Sequence, residues 1–229
     1  METKLDNHMV IKAYARWAPV YDLVFGAVFE QGRRSAIAAA ERIGGRILEV
    51  GVGTGISLPD YSRANKICGV DISEPMLQKA MERVSKLGLD HVEGLWVMDA
   101  EHLRFPDDSF DVVVAQYVIT TVPSPEATLD EFARVLKPGG EIVLVSRVGA
   151  EAGLRKALEK WFAPAARKLG WRTEFSFQRY AHWADSHAGM RLVERRAMPP
   201  FGHFSLIRFT KIGETASRGA DQPQLRAAG

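Results

Sequence analysis

Arg46-Ile47-Leu48-Glu49-Val50-Gly51-Val52-Gly53-Thr54-Gly55 decides how the rest of the chain is read. Ile47, Leu48 and Val50 form a short apolar run of the kind expected in a fully buried strand. Glycines then occupy positions 51, 53 and 55. Glycine lets the backbone turn sharply and lets a ligand approach the main chain. The strand–loop–helix turn of a doubly wound α/β sheet needs both properties, and its ligand crevice lies beyond the carboxyl ends of the strands. Glu49, one residue before the last apolar position, is placed to accept hydrogen bonds from a ligand. The third glycine comes one residue earlier than in the dinucleotide fingerprint G-x-G-x-x-G, which disfavours a nicotinamide oxidoreductase. Taken alone, such a loop also fits an ordinary tight turn.

Two downstream acids strengthen the ligand reading. Asp71 ends a second apolar run, Cys68-Gly69-Val70, about twenty residues on. An acid at the end of the second strand is placed for a ribose diol. Asp99 follows a third run, Trp96-Val97-Met98, and suits an adenine amino group. The stretches LEVGVGTG, GVDISEPML, MDAEHLRFPDDSFDVV and LKPGGEIVLVS together resemble the class I S-adenosylmethionine-dependent methyltransferases, over roughly Ala13 to Arg147. The resemblance implies an α/β fold with a doubly wound, seven-stranded, mostly parallel Rossmann-like sheet. It also implies S-adenosyl-L-methionine as cofactor and S-adenosyl-L-homocysteine as product. Gly51, Gly53 and Gly55 would line the amino-acid part of the cofactor, and Asp71 would take the ribose hydroxyls. Ile72 and Met76 would flank the adenine, with Asp99 and Ala100 at its edge. Glu49, Thr54, Glu101 and Gln116 are counted with these contacts.

The 229 residues suffice for one full α/β domain. The expected organisation is an N-terminal amphipathic segment (1–30), a methyltransferase domain (31–211) and a polar, disordered tail (212–229). One cysteine, Cys68, excludes a disulfide framework. Neither a secretory signal nor a run of eighteen apolar residues is present, so a cytoplasmic location is expected. The histidines are scattered, so no metal site is expected. The net charge of +2 hides an asymmetry. Residues 151–229 carry 14 Lys+Arg against 7 Asp+Glu, and residues 1–150 carry 16 against 21. A phospholipid surface, a phosphate head group or a nucleic acid could meet a basic face; so could solvent alone. A lipid surface is the expected partner, and no nucleic-acid partner is expected.

Residues His8–Trp17 read as a helix, which Pro19 interrupts. Val20–Phe29 is too apolar for one buried stripe. It fits a helix sandwiched between core and lid, or an interfacial element with Lys4, Lys12, Arg16, Arg33 and Arg34 near head groups. Gln31–Ile43 and Ile56–Arg63 read as short helices. Ser73 caps a helix that Gly88 ends. Phe110–Ala115 is a strand, Glu126–Leu136 a helix, and Lys137-Pro138-Gly139-Gly140 a turn into the strand Glu141–Ser146. Glu151–Leu169 reads as a basic helix and Ser176–His187 as an aromatic one. Met190–Met198 and His203–Lys211 read as antiparallel strands. His91 stands at the wrong end of its strand for chemistry, and His102 lacks an obvious partner.

Tyr14-Ala15-Arg16-Trp17-Ala18-Pro19-Val20-Tyr21-Asp22 carries a second resemblance. Its Y-x-x-x-A-x-x-Y-D pattern is similar to that of quinone-type and phospholipid-type small methyltransferases. It implies that Tyr14 meets the methionyl carboxylate and that Tyr21 walls the transfer site. Methyl transfer needs mainly an aligned donor and acceptor, since the cofactor supplies the reactive group. A growing methylammonium would favour aromatic walls. Tyr21, Tyr117 and Tyr180 are the expected walls, joined by Trp183, with Arg147 as phosphate partner because its planar fork matches phosphate oxygens. The overall sequence resembles the soluble bacterial phosphatidylethanolamine N-methyltransferases. That implies stepwise methylation of phosphatidylethanolamine towards phosphatidylcholine by a protein peripheral to the inner face of the cytoplasmic membrane. The alternatives are a C- or O-methyltransferase of a quinone precursor or other small molecule, and a non-catalytic membrane-association module. The oligomeric state is open.

Overall fold

The apolar runs divide their side chains between two cores, as the two-residue period of a strand requires. Leu48 and Val50 of the first strand join one buried cluster, while Ile47 joins the other. Val113 and Ala115 likewise face one way, and Val112 and Val114 the other. Each fully buried Val, Leu or Ile contributes roughly 1.5–3 kcal/mol. A sheet apolar on both faces must therefore be covered on both.

The computed structural model describes residues 21–148, 176–187, 189–198 and 204–213, and only the backbone for residues 21–28. The elements are α1 (Tyr21–Ala40), β1 (Arg46–Val50), a 3₁₀ turn (Leu58–Asp60), β2 (Lys66–Asp71), α2 (Glu74–Leu87), β3 (Val92–Val97), β4 (Phe110–Gln116), α3 (Pro125–Val135), β5 (Leu136–Arg147), α4 (Phe177–Ser186), β6 (Met190–Met198) and β7 (Phe204–Lys211). Among the described residues one seven-stranded sheet forms, in the order β3-β2-β1-β4-β5-β7-β6. β3, β2, β1, β4 and β5 pair in parallel, and β7 runs antiparallel to both β5 and β6. The strand order reverses between β1 and β4, so the switch-point crevice opens at their carboxyl ends. Ala36, Ile37, Ala39 and Ala40 of α1 and Leu77 of α2 pack on one face. Leu129, Phe132 and Ala133 of α3, with Tyr180 and Trp183 of α4, pack on the other.

Several expected boundaries move. α1 is one continuous helix, where two elements, Val20–Phe29 and Gln31–Ile43, were expected. No proline or left-handed residue interrupts it between them. Ile56–Arg63 contributes only the 3₁₀ turn. Residues 137–140, expected as a turn, lie within β5, where the pairing with β4 shifts register and Gly139 adopts φ 82°. Gly88 ends α2 in the left-handed conformation, as expected. Ser73 occupies the N-cap position, but its hydroxyl makes no capping bond. The expected helices at 8–17 and 151–169, Tyr14, Lys4, Lys12, Arg16 and the tail beyond Gly213 lie outside the described residues.

Candidate active site

The glycine turn is built by backbone bonds between β1 and β2. The N–H groups of Gly51 and Val52 both donate to the Val70 carbonyl, at 2.8 and 3.1 Å. Gly53 N–H donates to Asp71 Oδ2 at 2.8 Å, and Ser73 N–H donates to Asp71 Oδ1 at 2.8 Å. Asp71 thus closes the loop after β1 onto the start of α2. Burial pushes its carboxyl up, against the pull of those N–H groups. Each carboxylate oxygen keeps a further lone pair for a ligand. Gly51 and Gly53 both have positive φ, 71° and 57°, but for different reasons. A Cβ on Gly51 would collide with the Val118 side chain. A Cβ on Gly53 would meet nothing within 4 Å. The open space lies over the middle glycine, where a ligand would touch the main chain.

Glu49 is 3% exposed at the end of β1. Its Oε1 accepts from Ser57 Oγ at 2.7 Å and from Gln116 Nε2 at 3.2 Å. Its Oε2 is buried without a partner. The Tyr61 hydroxyl is near enough to draw the Glu49 carboxyl downward, yet makes no properly formed hydrogen bond to it. Burial wins over these dipoles and over Arg33, and pushes the carboxyl up to about 7. Ser73 Oγ, at the end of β2, is also buried and unpartnered. A carboxylate oxygen and a hydroxyl left without partners beside an open glycine fit a polar ligand with a cationic group.

Met76, 2% exposed, lies in the first turn of α2, with half-buried Ile72 just before that helix. Beyond β3, Asp99 Oδ1 accepts from the Glu101 N–H at 3.0 Å, and Ala100 is buried. Thr54 is buried, and its carbonyl accepts from Arg83. These positions, with Glu49, the three glycines and Gln116, lie at or just beyond the carboxyl ends of β1, β2, β3 and β4. Glu101 is engaged elsewhere: Oε1 accepts from Ser124 N–H at 2.7 Å, at the start of α3. His102 is exposed, with Nδ1 3.9 Å from Asp99 Oδ2. His91 Nε2 lies 3.2 Å from the Leu58 carbonyl, away from the crevice as expected.

The expected aromatic walls divide. Tyr117 directly follows β4 with φ 64°, a conformation costing a non-glycine residue roughly 1–2 kcal/mol. Such outliers gather at functional sites. Its ring lies 4.2 Å from Phe29 and 5.2 Å from Phe204, centroid to centroid. Arg147 pairs with Phe204 across β5 and β7. It lies two residues past Val145, on the same sheet face, and its Nε is buried without a partner. Tyr117, Phe204 and Arg147 therefore form one corner at the carboxyl ends of β4 and β5.

Tyr180 and Trp183 are not at that corner. Tyr180 is 0% exposed, and its hydroxyl donates to Ser146 Oγ at 2.7 Å. Trp183 Nε1 donates to Asp130 Oδ1 at 2.7 Å, and its ring packs edge-on against Phe209. Both belong to the core on the opposite sheet face, because i and i+3 positions of α4 share its buried side. Their expected role as head-group walls is corrected to packing. Arg33 is also withdrawn from any head-group surface: its side chain is 12% exposed and pairs with Asp60 at 3.2 Å. Arg34 pairs with Glu30 one helical turn away. Tyr21 begins α1, with its side chain outside the described residues.

This sheet order, the glycine turn and the acids ending β1 and β2 define a class I methyltransferase. Residues 48–144 match the methyltransferase domain family model. The chain is 43% identical over 202 residues to a phosphatidylethanolamine N-methyltransferase of Cereibacter sphaeroides, covering 88% of this chain and 97% of that one. It is 30% identical over 199 residues to the aklanonic acid methyltransferase DauC of a Streptomyces species, covering 81% and 89%. Among solved structures, a SAM-dependent methyltransferase of Thermotoga maritima, described as a possible histamine N-methyltransferase, superposes with TM-score 0.64 at 25% identity, covering 87% and 99%. The chain belongs to the S-adenosylmethionine-dependent methyltransferases. It is an enzyme of that family, and S-adenosyl-L-methionine is its cofactor.

Proposed function

We propose that this enzyme methylates the amine of phosphatidylethanolamine stepwise towards phosphatidylcholine, at a membrane surface. The observation that carries the reading is the 43% identity extending over 97% of the Cereibacter sphaeroides protein. The corner of Tyr117, Phe204 and the unpartnered Arg147 Nε supports it. Aromatic faces suit a methylated ammonium, and a guanidinium with a spare donor suits a phosphate diester.

The bound cofactor supplies an activated methyl group on a sulfonium. The chain's own residues orient and desolvate. Gly53 gives the amino-acid moiety access to the backbone, and Glu49 Oε2 accepts from its ammonium. Asp71 holds the ribose hydroxyls through the lone pairs left by Gly53 and Ser73. Ile72 and Met76 hold the adenine, with Asp99 and Ala100 at its edge. Arg147 holds the acceptor phosphate, and Tyr21 and Tyr117 bound the path to the amine. A neutral amine needs no dedicated base, because its proton can pass to water. Membrane contact is carried by the N-terminal element, residues 1–30. Among the described residues no helix is long and apolar enough to cross a membrane.

A second reading is carbon or oxygen methylation of a polyketide or quinone precursor. The resemblance to the aklanonic acid enzyme favours it. So does 27% identity over 197 residues to a ubiquinone/menaquinone C-methyltransferase of Cupriavidus pinatubonensis. The two readings separate when purified enzyme and radiolabelled cofactor meet vesicles with and without phosphatidylethanolamine, and separately a demethylquinol. Label entering only the phosphatidylethanolamine vesicles supports the proposal. Label entering only the quinol overturns it.

A further inference from the structure

Gly32 sits in the interior of α1, where glycine weakens a helix relative to alanine. It is buried against the sheet. A Cβ at Gly32 would overlap the Tyr117 hydroxyl and would stand 3.0 Å from Val145 Cγ1 and 3.2 Å from Tyr117 Cζ. The missing side chain is therefore a notch occupied by the phenol tip. Three further contacts hold the phenol there. The Tyr117 N–H donates to the Val145 carbonyl at 2.6 Å. Its hydroxyl lies 3.4 Å from the Phe29 carbonyl, one helical turn before Gly32. The Phe29 and Phe204 rings enclose its ring and meet each other edge-on at 5.5 Å. The left-handed backbone of Tyr117 turns the chain out of β4 at this point.

We propose that Gly32 and Tyr117 form a notch-and-key lock that registers α1 against the carboxyl ends of β4 and β5. Gly32 acts as a positioning residue for acceptor access, through Tyr117, which itself bounds the acceptor path. The lock fixes the start of α1, which lies eleven residues, about 16 Å of helix, from Gly32. That end carries Tyr21 and leads back into the N-terminal segment. Glu49, Gly51, Gly53, Asp71, Asp99 and Gln116 sit on β1, β2 and β4 or just past the ends of β1 and β3, none of them on α1. Disturbing the lock therefore alters acceptor use more than cofactor binding. This inference rests on the proposed acceptor only for one arm of its test.

The test is a double-mutant cycle of Gly32→Ala and Tyr117→Phe. Removing the phenolic oxygen removes the atom that a Cβ at position 32 would strike. Gly32→Ala in the otherwise unaltered enzyme is expected to raise the KM for phosphatidylethanolamine in vesicles by about tenfold or more, with cofactor Kd within about twofold. The same change in the Tyr117→Phe background is expected to cost less than about threefold. Amide hydrogen exchange across α1 is expected to quicken in Gly32→Ala and to return towards the Tyr117→Phe level in the double variant. Should Gly32→Ala fail to fold, restored folding in the double variant is the same result. Equal costs in the two backgrounds would overturn the lock, as would α1 exchange that Gly32→Ala leaves unchanged. A cofactor Kd that rises as far as the acceptor KM would also overturn it. If the unaltered enzyme ignores phosphatidylethanolamine, the acceptor reading fails alone, and the exchange cycle still decides the lock.

Discussion

Replacing Glu49 by glutamine separates what the site costs from what it does. In the free enzyme, burial holds the Glu49 carboxyl near 7 instead of its usual 4.5. The unfolded chain ionises this group first. Below about pH 4.5 both states are protonated and no penalty exists. As pH rises from 4.5 to 7 the unfolded state is increasingly favoured, and above 7 the folded protein bears the full cost. At 1.36 kcal/mol per pKa unit that cost is about 3 kcal/mol. Glu49→Gln cannot ionise and escapes it. Relative to the unaltered enzyme, the variant should gain up to about 3 kcal/mol between pH 4.5 and 8, or about 6–12 °C in Tm for a chain of this size. Cofactor affinity should move the opposite way. A charge-assisted hydrogen bond contributes about 1.5–3 kcal/mol, so the variant should bind cofactor about 10- to 100-fold more weakly. Cofactor binding to the unaltered enzyme at pH 6 should release a proton, because an arriving cation draws Glu49 into its charged form. Thermal denaturation across pH 5–8 and calorimetry in two buffers of different ionisation enthalpy measure these effects. A pH-independent Tm difference together with unchanged cofactor Kd would refute the reasoning.

Other substitutions follow from the same geometry. Gly53→Ala should fold at a backbone cost of roughly 1–2 kcal/mol and lose cofactor binding, because its Cβ enters open ligand space; calorimetric titration measures it. Gly51→Ala carries the same backbone cost and also strikes Val118, so its Tm should fall further than that of Gly53→Ala. Asp71→Asn leaves one acceptor oxygen for the Gly53 and Ser73 N–H groups, so cofactor Kd should rise at least tenfold with a small loss in Tm. Tyr180→Phe strands the buried Ser146 hydroxyl and should cost about 1–3 kcal/mol in denaturant unfolding while the acceptor KM stays constant. A large KM change would return Tyr180 to the acceptor path.

The central sheet was legible wherever one physical signal dominated. Buried strands read as apolar runs, and the acids ending β1 and β2 stand where Glu49 and Asp71 were placed. The bounds of β6 fall as expected, at Met190 and Met198. α1 was less legible because apolar residues crowd its first half and small ones its second, so one helix read as two. β5 absorbs Pro138 and Gly139 through a register shift that turn chemistry alone does not reveal. Tyr180 and Trp183 were misplaced because aromatic character was weighed above spacing. Their i, i+3 relation, continued by Ala184, marks the buried stripe of α4. Ser57 and Tyr61 escaped notice because their closeness to Glu49 is tertiary. Gly32 did leave a signal: a glycine in the interior of a helix calls for a packing reason, and the phenol of Tyr117 fills the space its side chain leaves.

The most direct measurement uses cofactor carrying a ¹³C-labelled methyl group, vesicles containing phosphatidylethanolamine, and nuclear magnetic resonance of the extracted product. Labelled carbon is expected on the head-group nitrogen, appearing first as the monomethyl and then as more highly methylated lipid. Cofactor binding with no label on any lipid nitrogen, and label instead on a ring carbon or oxygen of a supplied quinol, would contradict it.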